Sequence, residues 1–281
     1  MRGLFAALPF VVLAVACSGS SAPGDDADGS GPLGGENDAG SSDAHVAEDA
    51  AAPNDAAIAE ADASLDVDGG TWSDVSFGVT TKDVPGGRDD VAIAYGGYTA
   101  TDAESQAWVT ALAGSMLAAR GVGHLYAVRG PKDADYSSRE IGNSTLATAL
   151  AARTSAKSIV VVAHSSGGFV ADELWTFASD ATLAKVTYFD LDGGSWSLTS
   201  ALVAKMRGVY TVGADDPVAG KSENYSSDES LHTKLAGSHF YSVDASGSGC
   251  NTGAGWCLHD TLINSKPHDP AFYDLADDYV D

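Results

Sequence analysis

The chain has 281 residues, 44% of them hydrophobic, enough to bury one sizeable core. Its formal net charge of −24 argues against nucleic acid and against an anionic membrane surface as electrostatic partners. The charge is uneven, since residues 18–70 hold ten Asp and three Glu with no Lys or Arg.

The N-terminus reads MRGLFAALPFVVLAVAC, with Arg2 before an apolar run from Gly3 to Ala16. That run is shorter than the roughly 20 residues a spanning helix needs and fits the core of a secretion signal. Its end, Ala14-Val15-Ala16-Cys17, resembles a bacterial lipoprotein cleavage box. The resemblance implies cleavage before Cys17, lipidation of its thiol and a place in the cell envelope. Ser18 in the next position is compatible with outer-membrane sorting. Residues 18–70 are rich in Ala, Gly, Ser and Asp, with no aromatic residue. They cannot bury enough surface to offset their ordering entropy and are expected to form a disordered tether, extended by its own charge. With Cys17 lipidated, Cys250 and Cys257 remain as an even pair able to close a small loop in an oxidising compartment.

From Trp72 onward, aromatic residues and short apolar runs begin. Val91–Ala94 reads as a strand, followed by a helix from about Ala103 to Arg120, where Trp108, Leu112 and Met116 recur at spacing four. His124–Val128 is a second strand and Thr145–Arg153 a second helix. Ser158–Ala163 is a strand and Gly168–Ala178 the helix after it. Lys185–Leu191 and Gly208–Val212 are two further strands, with a short helix near Thr199–Lys205 between them. After a polar stretch, His239–Val243 is the last strand. A helix begins near His259 and another lies near the C-terminus. Strand–helix alternation predicts a single α/β domain over residues 71–281, a doubly wound, mostly parallel sheet with helices on both faces. The run Ile159–Val162 suits a central strand buried on both sides.

That strand runs into Ala163-His164-Ser165-Ser166-Gly167. In a sharp turn from strand to helix, the apex residue is strained and its side chain exposed, and the residues two before and two after must be small. With Ser165 at the apex the flanks are Ala163 and Gly167, both small; with Ser166 the earlier flank is His164, which is too large. Ser165 is therefore the candidate nucleophile, in a variant of the G-x-S-x-G elbow.

On these residues, and on YGGYTATDAESQAWVTAL after the first parallel strand, the chain from about Asp90 to Thr261 resembles the lipases and esterases of the α/β-hydrolase family. The resemblance implies an oxyanion hole formed by the backbone N–H groups of Tyr98, with Gly97 the alternative, and of Ser166. Gly96 stands where lipases carry His. The family's chain order, nucleophile, acid, histidine, directs attention to His239, His259 and His268. His239 opens a strand, at the wrong end of the sheet, whereas His259 begins a helix two residues after Cys257. A cysteine shortly before the base is similar to pancreatic-type lipases, and His259 is the expected base. For the acid, Gly213-Ala214-Asp215-Asp216 matches the common Gly-x-x-Asp placement and makes Asp216 the first choice. Asp192, after the preceding strand where pancreatic-type lipases keep their acid, and Asp215 are the alternatives.

The expected function is carboxylic ester hydrolysis through an acyl-enzyme on Ser165, with an ester-bearing small molecule or lipid as substrate. The same triad could cleave amides, and a surface-binding lipoprotein without catalysis is the reading from another class. No nucleotide-binding pattern, no calcium loop and no close pair of histidines points to a cofactor or metal. No obligate protein partner is inferred.

Overall fold

The computed structural model describes residues 66–114, 117, 121–132, 141–194, 197–253 and 255–263, all within one compact unit spanning residues 60–281. The signal segment, Cys17, most of the expected tether, His268 and the expected C-terminal helix lie outside these residues. Val67, inside the segment expected to be tether, packs against the core, and its carbonyl accepts a hydrogen bond from Lys82 Nζ at 2.6 Å.

Nine strands and seven helices are described: β1 (Ser73–Ser76), β2 (Val79–Asp83), β3 (Arg88–Tyr95), α1 (Asp102–Gly114), β4 (Val122–Val128), α2 (Asn143–Ala152), β5 (Ile159–His164), α3 (Gly167–Phe177), α4 (Asp180–Leu183), β6 (Val186–Leu191), α5 (Ser200–Val203), β7 (Gly208–Asp216), β8 (Gly220–Lys221), α6 (Tyr225–Lys234), β9 (His239–Asp244) and α7 (Gly255–Thr261). They form a single sheet of order β1-β2-β4-β3-β5-β6-β7-β8, with β9 paired to β7. The pairs β4–β3–β5–β6–β7–β9 are parallel, whereas β2 runs antiparallel to β4.

Alternate residues of the central strands go to opposite cores, as a two-residue period requires. Ala92, Ala94, Val160, Val162, Phe189 and Leu191 face a core closed by α1 and α7. Val91, Ile93, Tyr95, Val161, Ala163 and Tyr188 face a core closed by α2 and α3. Every residue of β5 and β6 is buried; β5 reads as an apolar run from Ile159 to Ala163, whereas β6 also buries Thr187 and Asp190.

The β1–β2 hairpin and α6 were not expected from the sequence. Serine, threonine and lysine dominate the hairpin, and α6 (YSSDESLHTK) buries only Tyr225 and Asp228, so neither shows an apolar period. Helix α1 is described only as far as Gly114. Its start is set by a capping box in which Thr101 N–H donates to Glu104 Oε2 at 2.8 Å and Glu104 N–H to Thr101 Oγ1 at 3.2 Å.

Candidate active site

The carboxyl ends of β3, β5 and β6 open into one cleft of about 840 Å³. Ser165, Ser166, Gly97, Tyr98 and His259 all line it, so five residues singled out from sequence meet in one place.

Ser165 sits between β5 and α3 at φ +56°, in the left-handed region. The tight turn depends on Gly167, where a Cβ would stand 2.5 Å from Tyr95 O and 2.7 Å from Gly96 O. Only three non-glycine residues among those described have positive φ: Thr99, Ser165 and Asp192. Thr99 and Ser165 line the cleft, and Asp192 touches His259. Backbone strain of this kind costs about 1–3 kcal/mol per residue, and here it is concentrated around one cavity.

His259 lies on α7, 3% exposed, and donates Nδ1–H to Asp192 Oδ2 at 2.5 Å. Asp192 is fully buried at the end of β6. Its carboxylate also accepts Ser222 Oγ–H at 2.6 Å and the Asn224 N–H at 3.1 Å, while Asn224 Nδ2 donates to its carbonyl at 2.7 Å. A buried carboxylate with this many donors is held in one orientation. The disulfide between Cys250 and Cys257, with Cα atoms 5.8 Å apart, ties the first turn of α7 to the loop after β9. Closing so short a loop is worth about 2.5 kcal/mol by chain entropy.

Asp216, the first choice for the acid, is placed elsewhere. Its Oδ1 accepts the N–H groups of Ala219 and Val218 at 2.8 and 2.7 Å, and Ser248 Oγ donates to Oδ2 at 3.3 Å. These donors hold its pKa below the ordinary aspartate value, the Ala219 N–H contributing most. Asp216 therefore closes the turn between β7 and β8, its carboxylate engaged by backbone N–H groups and Ser248. Asp215 pairs through its backbone with Lys221 of β8 and Asp244 of β9. Of the three aspartates, Asp192, one strand earlier, is the one hydrogen-bonded to His259, and Ser222 and Asn224 complete its surroundings. His239 opens β9 and stacks on Tyr210 at 5.3 Å, away from the cleft residues, as its position at the start of a strand implied.

On the opposite wall, the β3–α1 loop approaches the elbow closely. A Cβ at Gly97 would lie 3.2 Å from Ser165 Cβ, and one at Gly130 would lie 1.6 Å from Gly97 O. Gly96 has no room for a side chain because Ser105 Oγ and Ala100 Cβ would each stand 2.6 Å from its Cβ. This explains why no histidine stands there: α1 fills that space with Ser105.

His164 entered the sequence analysis only as a flank too large for an elbow centred on Ser166, and the structure gives it more. It is 4% exposed, lines the cleft, and its ring centroid lies 4.3 Å from that of His259. Its Nε2–H donates to the His259 carbonyl at 3.1 Å. Burial, and then the neighbouring His259, push its pKa down to about 3, so it is neutral at physiological pH. Trp256, 62% exposed, stands edge-on to His259 at 5.0 Å at the mouth of the cleft. Neither role carries a sequence signal, because the contacts join segments 95 residues apart or depend on a rim left uncovered.

Neither a family model nor a curated protein sequence matches the chain. Solved structures do resemble it. A CIB-like hydrolase from Thermoplasma acidophilum is 16% identical with a TM-score of 0.45, over 77% of this chain and 97% of that one. A serine hydrolase involved in carbazole degradation, CarC, is 12% identical with a TM-score of 0.47, over 75% and 99%. The esterase Pf2001 of Pyrococcus furiosus is 11% identical with a TM-score of 0.45, over 77% and 95%. What the chain has in common with them is the architecture already described from its own strands. The fold is a doubly wound, mostly parallel α/β sheet.

Proposed function

We propose that the protein is a serine hydrolase that cleaves carboxylic esters, with Ser165 as nucleophile, His259 as base and Asp192 as the acid that orients it. The observation that carries this reading is the 2.5 Å contact from Asp192 to His259 Nδ1 beside a serine held at positive φ in the same cleft. The carboxylate fixes the imidazole tautomer, so that Nε2 presents a lone pair. Ser165 Oγ attacks the ester carbonyl as His259 takes its proton. The resulting imidazolium, stabilised by Asp192, then protonates the departing alkoxide. Water, activated by the same histidine, hydrolyses the acyl-enzyme and frees the acid. The negative oxygen formed in each half-reaction is assigned to the N–H groups of Ser166 and of Tyr98, with Gly97 as the alternative.

Aromatic side chains of Tyr98, Trp108, Phe169 and Trp256 line the cleft, which favours an apolar acyl or alcohol group. Only residues 192–207 separate β6 from β7, leaving little room for a cap domain, and an open site fits short or medium esters or a surface-bound lipid. Export and lipid anchoring at Cys17 are proposed from residues 1–17, with the acidic segment as spacer. The disulfide fits an oxidising compartment. No helix among the described residues is long and apolar enough to cross a membrane.

The test is labelling of the protein by a fluorophosphonate, read by intact mass, with Ser165→Ala as control, followed by matched p-nitrophenyl esters and anilides. Stoichiometric labelling lost in Ser165→Ala, with esters turned over, is the expected result. Anilide turnover at comparable rates would move the assignment to an amidase or peptidase. Absence of labelling would leave a binding lipoprotein as the reading.

A further inference from the structure

The cleft contains a second constellation that ester hydrolysis does not need. His164, His259 and Asp260 each offer a ligand atom, and these atoms all lie within 4.8 Å of one another. Among the described residues no other group of three His, Cys, Asp or Glu comes together in this way. We propose that His164, His259 and Asp260 bind a divalent transition-metal ion of zinc's class, and that the bound ion reversibly shuts off the serine chemistry. The shut-off rests on the hydrolase reading above; the binding does not.

The hydrogen bonds around the two histidines carry the argument. A carbonyl only accepts, so the contact from His164 Nε2 to His259 O places the proton of His164 on Nε2. Nδ1 is left with a bare lone pair, deeply buried and with no partner among the described residues. A Cβ at residue 97 would stand 3.0 Å from that nitrogen, so glycine there keeps a side chain from packing against it. His259 is arranged in the complementary way, with Nδ1–H given to Asp192 and the lone pair on Nε2. Histidines that ligate metals donate their other ring N–H to a carboxylate or a backbone carbonyl, which fixes the tautomer and strengthens the donor. Both kinds of support are present, one on each ring. Asp260 follows His259 on α7, is exposed, lines the cleft and supplies the negative charge.

Two imidazoles and one carboxylate form a set that suits zinc and its neighbours rather than magnesium or calcium, which select oxygen. Ligand bonds of about 2.0–2.2 Å bring donor atoms closer together than 4.8 Å, so the site closes by a small movement, and the exposed Asp260 side chain is free to make it. An ion held on His259 Nε2 occupies the lone pair that must take the Ser165 proton. Hydrolysis stops without any change to Ser165.

The experiment is competition for Zn²⁺ between the full chain and a chromophoric chelator, run beside ester hydrolysis with and without EDTA. The expected result is one Zn²⁺ per chain with a dissociation constant on the order of 1 µM. Mg²⁺ should not compete, and activity lost to zinc should return with EDTA. Asp260→Asn and His164→Gln should each weaken binding by about tenfold or more and raise the inhibitory zinc concentration in parallel. Asp260, on the surface, provides the decisive variant if His164→Gln does not fold. Zinc affinity unchanged in Asp260→Asn would mean adventitious binding to the acidic surface and would overturn the proposal. So would an active esterase that zinc does not inhibit. Stoichiometric zinc binding that responds to Asp260→Asn, in a chain that no ester or fluorophosphonate engages, would leave the site standing and remove the hydrolase reading instead.

Discussion

Asp192 and His259 lie 67 residues apart in sequence and are joined by a 2.5 Å hydrogen bond in a region where both side chains are almost fully buried. Asp216, in the more familiar position one strand later, is occupied by the backbone of its own turn. The two carboxylates are therefore separable by experiment. Asp192→Asn should lower kcat by about 10⁴-fold, since an amide in that position favours the wrong tautomer of His259. Asp216→Asn should leave kcat within about threefold of the parent, because its partners are the β7–β8 turn and Ser248. Steady-state hydrolysis of one p-nitrophenyl ester by both variants decides the assignment, and the reverse ranking would return the role to Asp216.

The strain at Ser165 gives a second expectation. An L-residue held in the left-handed region costs about 1–2 kcal/mol, which glycine avoids. Glycine gives back part of that gain through the greater freedom of the unfolded chain, about 0.4–1 kcal/mol. Ser165→Gly should therefore be more stable than Ser165→Ala by about 1 kcal/mol, or about 2–4 °C in Tm for a domain of this size. Both variants should be inactive. Calorimetry of the pair isolates the backbone cost, because neither variant carries the hydroxyl. Equal melting temperatures would mean that the turn is not strained.

The parts of the molecule legible in sequence were those whose burial is written into local spacing. β5 is buried on both faces and appears as an apolar run, and the elbow appears because its flanking positions tolerate only small residues. Such rules, together with the chain order that the resemblance implies, single out Ser165 and His259, which the fold brings into one cleft. They do not rank the three aspartates, because the ranking depends on what surrounds each carboxylate. Ser222 and Asn224, which complete the shell of Asp192, sit in a polar stretch with no period. α6 escaped for the same reason, and β1–β2 is a largely polar hairpin at the sheet edge.

Two other buried aspartates make the stability of the fold depend on pH in an unusual direction. Asp190 on β6 and Asp228 on α6 are fully buried, and their carboxyl oxygens have no hydrogen-bond partner among the described residues. Burial raises the pKa of each well above the ordinary value of 3.8. The charges of Asp172 and Asp192 add to the effect at Asp190, and those of Asp190 and Asp192 at Asp228. Above 3.8 the unfolded chain releases these protons while the folded chain keeps them, so stability falls as pH rises toward the folded values. Asp216 acts in the opposite sense and in a lower window: its stabilisation is present above 3.8 and lost as pH drops through its depressed folded value. Asp190→Asn should raise Tm at pH 8 and have little effect near pH 4, flattening the profile between them. Thermal melts across that range test this, and a variant whose gain did not grow with pH would show that Asp190 is not held protonated.

The charge around the cleft makes a prediction about substrate choice. Among the described residues, Glu104 and Asp260 are the carboxylates lining it, and neither Lys nor Arg is among the lining residues described. The capping box holds Glu104 in place as an anion, the Thr101 N–H and hydroxyl drawing its pKa below the ordinary value. An anionic ester, such as a half-succinate, approaches two like charges. A quaternary-ammonium ester of the same size approaches two opposite charges and the exposed rings of Tyr98 and Trp256, whose faces attract cations. Charges several ångströms apart at a partly solvated surface interact by about 1–2 kcal/mol, which sets the expected preference in kcat/KM for the cationic ester at roughly tenfold or more. The gap should narrow as ionic strength rises and the charges are screened, and narrow again in Asp260→Asn. Equal kcat/KM for the two esters at low salt would mean that the substrate's charged end lies outside the cleft, with the aromatic rim acting through apolar contact alone.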